Sequence, residues 1–217
     1  MNFDIAGHIG AVARVVENRE RDGRPAHAVI ATRSYDTDAT DLWDALTNAE
    51  RIPRWFMPIS GDLRLGGRYQ LTGNAGGEIT RCEPPKILAV TWEYAGDVSW
   101  VTVTLSPEAS GGTRLELEHL AHVKGEFWDR FGPGAVGVGW DLALFGLALY
   151  LSSGTPVNPE ESAAWLSSAA GKDFVRQSSD GWCLASIAAG TDVAKAQASA
   201  KRTTAFYSGE PEPAAGD

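Results

Sequence analysis

The chain has 217 residues, with 28 acidic side chains against 19 Lys and Arg and a formal net charge of −9. Without a Lys/Arg run it offers no basic stripe for phosphates, which excludes nucleic acid as a main partner. Cys82 and Cys183 form neither a metal-type pair nor a disulfide framework. With no basic start and no cleavable apolar core in "MNFDIAGHIG", the expected location is cytoplasmic.

In chain order, Ile5, Ile9, Val12 and Val16 make a helical stripe that ends in the polar "ENRERDGR", so residues 1–25 read as a helical segment. "HAVIATRSY", 27–35, reads as a strand. Thr37 or Asp38 then caps a short helix with Asp41 in its first turn. That helix runs into "RIPRWF", where Pro53 turns the chain and Trp55 and Phe56 are expected to push into the end of a cavity. An antiparallel meander follows over 62–122, as "DLRLG", "RYQLTG", "EITRCE", "ILAVTWEY", "WVTVTLS" and "TRLELEHLAHV". Alternation puts Val101, Val103 and Leu105 on a dry face and Thr102 and Thr104 on a wet one. Leu115 and Leu117 face in by the same rule, and His119 continues their series.

The apolar run "VGVGWDLALFGLALYL", 136–151, has one charge, Asp141. It falls short of the roughly 20 residues of a membrane span and is expected to be a buried helix. Three Ala- and Ser-rich helical patterns follow at about 159–170, 172–188 and 191–207, with Gly171, Gly181 and Gly190 near the expected breaks. Their apolar residues Trp165, Leu166, Phe174, Trp182, Leu184, Ile187 and Phe206 need burial, against the domain or on a second copy in a homodimer. The tail 209–217 is acidic, low in complexity and expected to be disordered.

The chemical motifs are few. "GPGAVG", 132–137, matches a dinucleotide fingerprint in letters, but lacks the preceding strand and βαβ context. Its glycines read instead as allowing the helix to approach the sheet closely. His119 and His122 are three apart on a strand and so fall on opposite faces, which leaves no metal set and no cofactor motif. Cys82 reads as structural. An inward His119 is either a core histidine or a polar group in a ligand pocket. Eight tryptophans are the unusual feature; Trp43, Trp55, Trp92, Trp100, Trp128 and Trp140 all fall in the sheet-and-helix region. Leu88, Val90, Trp92 and Tyr94 alternate onto one face, placing Trp92 inside.

The runs "LWDALTNAERIPRWF", "GDLRLGGRYQL", "EITRCEPPKILAVTWEY", "GGTRLELEH" and "GVGWDLAL", in that order, resemble the START-like (SRPBCC) superfamily. Within it they are most similar to the branch named after the C-terminal domain of the heat-shock-protein-90 ATPase activator. The resemblance covers about residues 26–152. It implies an α+β helix-grip fold, a curved antiparallel sheet around a long C-terminal helix, with a cavity between them. It also implies a pocket lined from Trp43, Trp55, Phe56, Trp92, His119 and Trp140; Tyr69, Val103, Leu117 and Leu144 complete the candidate lining.

The expectation is a helix-grip domain at 26–152 with a seven-stranded sheet and a helical extension at 153–208. The expected function is binding of a hydrophobic or aromatic small molecule, with no catalytic residue assigned. The alternatives are a chaperone ATPase-activator-like role, with a chaperone or client protein as partner, and a cyclase- or hydratase-type enzyme using the same pocket.

Overall fold

Alternation of buried and solvent-facing residues decides the strands, as along Asp97–Pro107 and Thr113–His122. The computed structural model describes residues 4–109, 111–123 and 125–213. Its helices are α1 (Ile5–Gly10), α2 (Ala39–Thr47), α3 (Gly125–Phe131), α4 (Gly134–Ser153), α5 (Pro159–Ser167), α6 (Ala169–Ala188) and α7 (Val193–Ser208). A 3₁₀ turn occupies Ile52–Arg54. The strands are β1 (Ala13–Arg21), β2 (Arg24–Tyr35), β3 (Ile59–Gly61), β4 (Arg68–Leu71), β5 (Gly76–Glu83), β6 (Ile87–Tyr94), β7 (Asp97–Pro107) and β8 (Thr113–His122). They form one sheet in the order β1-β2-β8-β7-β6-β5-β4-β3, and each neighbouring pair from β3 to β8 is antiparallel.

The eighth strand is β1, taken from a segment whose spacing suggested a helix. Asp4 caps α1, accepting from the Gly7 N–H, but the helix stops at Gly10. Beyond it, β-branched Val15 and Val16 favour a strand, and Asp22 and Gly23 both take positive φ, 53° and 70°. An Asp-Gly pair with two positive φ values is the preferred two-residue hairpin turn, and it joins β1 to β2. A second correction concerns "DLRLG": the strand there is Ile59–Gly61, and Asp62–Gly67 forms a turn closed by Gly67 N–H donating to Arg64 O at 2.8 Å.

Contacts divide the chain into two units, one comprising Thr32–Ala121 with Ala143–Val157. In this sheet unit, Asp38 caps α2 by accepting from the Thr40 and Asp41 N–H groups. Arg51 Nη1 then donates to Asp41 Oδ1 at 2.8 Å and Asp44 Oδ2 at 2.9 Å, while its Nε donates to Tyr150 Oη at 3.2 Å. Those carboxylates hold the Arg51 pKa up against the pull of its burial, and Arg51 holds theirs below the usual range. One guanidinium thus fixes the helix, the turn and the far part of α4 together.

The other unit holds the chain up to Ala31, His122–Leu142 and the chain from Asn158. Asp141, 1% exposed, sits in the middle of apolar α4 and accepts at Oδ2 from Arg14 Nε at 2.9 Å, from Trp182 Nε1 at 3.1 Å and from the Ser178 hydroxyl. Burial pushes the Asp141 pKa up against the pull of these donors. Helix α4 is long and apolar enough to cross a membrane by length and composition. Of its apolar window, 61% is buried within the protein, as in the core helix of a folded domain.

The glycine-rich run meets the extension and not the sheet. A Cβ at Gly137 would overlap the Trp182 ring, one at Gly139 would press on Tyr207 Oη, and one at Gly134 on Thr203. Trp182 and Phe174 are buried here, whereas Leu184 and Phe206 are each 68% exposed in the single chain. Gly171 and Gly181 lie inside α6; Gly190, with φ 96°, follows its end. Of the tail, Glu210 pairs with Lys172 at 2.8 Å and Glu212 with Arg130, while 214–217 lie outside the described residues.

Gly137→Ala tests this packing. It is expected to lower stability in denaturant unfolding by about 1–3 kcal/mol through overpacking. Gly10→Ala, where a Cβ meets nothing within 4 Å, is expected to change stability by less than about 0.5 kcal/mol.

Candidate functional site

Residues directly opposite in an antiparallel ladder share a face, so the register builds the dry face row by row. Cys82, Leu88, Val103 and Leu117 form one row; Ile79, Val90, Val101 and His119 form the next; Trp92 faces Ser99 in the third. The shift in pairing between Ile79 and Arg81 keeps Ile79 and Cys82 on the same face despite their odd spacing. Tyr69, Leu71 and Ile79 are the buried centre of an apolar cluster against which Phe56, Leu88, Val90 and Trp92 pack.

Cover over this face is uneven. Leu117, Val103 and Val101 on β8 and β7 are buried. Leu88, Val90 and Trp92 on β6, hydrogen-bonded to strands on both sides, are only half-buried.

His119 supplies the polar group. It is 5% exposed, its Nε2 lies 2.8 Å from Ser99 Oγ, and its ring centre is 6.0 Å from that of Trp92. Ser99 Oγ in turn donates to the Trp92 carbonyl at 3.2 Å, so Nε2 is the donor towards Ser99. Burial pulls the imidazole pKa down to about 4. The ring is therefore neutral at pH 7.

Phe56, Tyr69, Trp92, Val103, Leu117 and His119 thus share one face or its apolar cluster. Tyr69 is anchored through Oη to the Thr91 carbonyl at 2.8 Å, and burial raises its pKa. Trp55 follows the 3₁₀ turn after α2. Its indole N–H donates back to the Ala45 carbonyl of α2 at 2.9 Å, and its ring stacks on Phe56 at 5.3 Å, so it braces the turn. Trp43 is half-buried on α2. Leu144 is buried on α4, where its carbonyl accepts from Tyr35 Oη at 3.1 Å. Trp140 is half-buried on the part of α4 that belongs to the other unit. Ser99, the partner of His119, was missed by sequence reasoning. The available signal was register: the tight Gly96 turn pairs Tyr94 with Asp97 and thereby fixes Trp92 opposite Ser99.

Among the described residues no group of three or more His, Cys, Asp or Glu side chains gathers to hold a metal ion.

Residues 36–152 match the family model described as activator of Hsp90 ATPase homolog 1-like protein. The chain belongs to this family. No curated protein sequence matches it. Among solved structures it is similar to CalU16 from Micromonospora echinospora. The solution structure of CalU16 is 34% identical with a TM-score of 0.67, over 83% of this chain and 97% of that one. The CalU16 crystal structure, also 34% identical, gives 0.63 over 81% and 98%. An Hsp90 activator from Plasmodium falciparum shares the fold at 24% identity and a TM-score of 0.51, over 58% of this chain and 96% of its own. The architecture is the helix-grip fold that the sequence resemblance implied.

The neutral, buried His119 makes a testable contribution to stability. Its folded value near 4 lies below the ordinary 6.5, so the unfolded chain takes up the proton first as pH falls. Stability is then lost between about pH 6.5 and pH 4, by up to about 3 kcal/mol. His27, whose pKa burial also lowers, acts in the same direction. In urea unfolding, the wild type is expected to lose stability relative to His119→Gln across this window. A constant difference between the two from pH 7 to pH 4 would contradict it.

Proposed function

We propose that the chain binds an apolar or aromatic small molecule on the dry face of the sheet unit, with His119 and Ser99 at its polar end. The observation that carries this reading is the half-buried row of Leu88, Val90 and Trp92 on a central strand. Apolar side chains there sit on the side where the neighbouring strands β7 and β8 are buried, and covering them with a ligand contributes about 25 cal/mol per Å². Pockets of this kind combine an apolar lining with a few polar groups that fix orientation. With the imidazole N–H donated to Ser99 and the Ser99 hydrogen to the Trp92 carbonyl, the pair has only acceptor capacity to offer, which suits an uncharged donor on the ligand such as a phenol or alcohol.

Binding is favoured over catalysis for a physical reason. An efficient general base has a pKa near the working pH, whereas His119 is held near 4. The kinship with an Hsp90 activator is at the level of fold, so a chaperone partner is an outcome of the test and not its premise.

The test uses Nile red, a neutral apolar dye, with the full chain. Trp92→Ala is expected to weaken dye binding at least about 10-fold, the worth of one buried aromatic side chain. Thr102→Ala, on the opposite face, is expected to change it less than about 2-fold. Equal effects would place the binding face elsewhere. Native mass spectrometry of protein from its own host is expected to show a co-purifying apolar or aromatic small molecule. A chaperone or client bound in its place would favour the alternative role.

A further inference from the structure

Strand β1 stands at one end of the sheet order, so among the described residues it has a strand on one side only, β2. It runs for nine residues, Ala13–Arg21, and contains no proline. Helix α6 packs against its first half, where Arg14 lies beside Gly181 and Val16 is buried. Glu17, Asn18, Arg19 and Glu20 are all exposed. Successive side chains point to opposite faces, so both faces of this half of the strand are open.

The Asp22-Gly23 turn decides which backbone groups point off the sheet. A two-residue hairpin closes on a hydrogen-bonded pair, here Arg21 with Arg24, and bonded and non-bonded pairs alternate from there. Arg21, Arg19 and Glu17 therefore turn their backbone groups towards β2, and Glu20, Asn18 and Val16 turn theirs outward. Pro25, opposite Glu20, fits this alternation. It has no N–H to give to β1, and its carbonyl accepts from the Val123 N–H, on the other side of β2, at 3.1 Å.

An open edge is a template for a further strand, and the charge pattern of this one is complementary to itself. With two copies antiparallel about Asn18, Glu17 of each lies opposite Arg19 of the other, and Val16 opposite Glu20. Centring the pair on Glu17 or on Arg19 instead sets like charges opposite each other, which is unfavourable. The hairpin 13–24 carries four arginines (Arg14, Arg19, Arg21, Arg24) against three acids (Glu17, Glu20, Asp22), in a chain of net charge −9. Two acidic chains thus meet here without net repulsion. The geometry points to β1 as an interface with a second copy of this chain, paired antiparallel about Asn18. The Asn18 pair and the two Val16–Glu20 pairs each exchange two backbone hydrogen bonds, about six in all. Two reciprocal Glu17–Arg19 contacts set the register. So short an interface gives a reversible dimer with a midpoint on the order of 10–100 μM.

Sedimentation equilibrium of the full chain, from about 1 to about 500 μM, is expected to show the mass rising from one chain to two. Asn18→Pro removes an outward N–H at an edge position where proline is tolerated, and is expected to give a monomer with unchanged circular dichroism. Glu17→Arg and Arg19→Glu, each alone and each at an exposed position, are expected to weaken association at least about 10-fold. Mixed in equal amounts, these two variants carry opposite charges at the facing positions and are expected to associate at least as tightly as the wild type. An effect within one chain predicts no such recovery. A wild type that stays monomeric throughout the series overturns the proposal. So does a dimer that neither charge reversal weakens, or a mixture that associates no more tightly than its components.

Discussion

The helical unit depends on one oxygen atom. Asp141 Oδ2 accepts from Arg14 of β1 and from Ser178 and Trp182 of α6, while Asp141 itself is in the middle of α4. A carboxylate in an apolar helix is costly to bury, and only paired donors offset that cost. Removing one partner from such a pair costs about 3–5 kcal/mol. Arg14 extends the constraint by donating through Nη1 to the Ile9 and Val12 carbonyls, which fixes the end of α1. Segments at residues 9–14, 141 and 178–182 are thereby brought to one point. Gly137 of α4 follows from the same constraint. With Trp182 drawn to Asp141, its ring occupies the space where a side chain at position 137 would stand.

The sheet unit is organised by a surface-side device of similar logic. Arg51 ties α2 to Tyr150, Trp55 hydrogen-bonds back onto α2, and Gly146 lets the backbone at Trp55 approach α4. Side chains that look like pocket aromatics in sequence are thus divided between two tasks. Trp55 braces the frame, and Phe56 and Trp92 face the apolar cluster. A braced frame beside a half-covered apolar row is the arrangement expected of a preformed site, because little ordering is left to oppose binding.

Local pattern made most of the sheet legible. Alternation in "WVTVTLS" and "TRLELEH" gave the dry face, and Asp38 announced α2 through its capping position. Residues 13–21 were misread because the Ile5, Ile9, Val12 and Val16 spacing continues a helical period across a real break at Gly10. The Asp22-Gly23 turn was the better signal. What could not be read was long-range partnership. Asp141 stood out as the lone charge of an apolar run, but its partners are 127, 37 and 41 residues away. The glycine-rich run revealed a close approach and not what approaches. Of the site itself, inward Trp92 and His119 were legible from period two, whereas the uneven cover over β6 is a property of the folded sheet.

Hydrogen exchange of the full chain, with and without saturating Nile red, tests the ligand-binding account most directly. The account predicts added protection in β6 and β7, residues 87–94 and 97–107, with no change across 169–208. Added protection across 169–208 with β6 and β7 unchanged would contradict it.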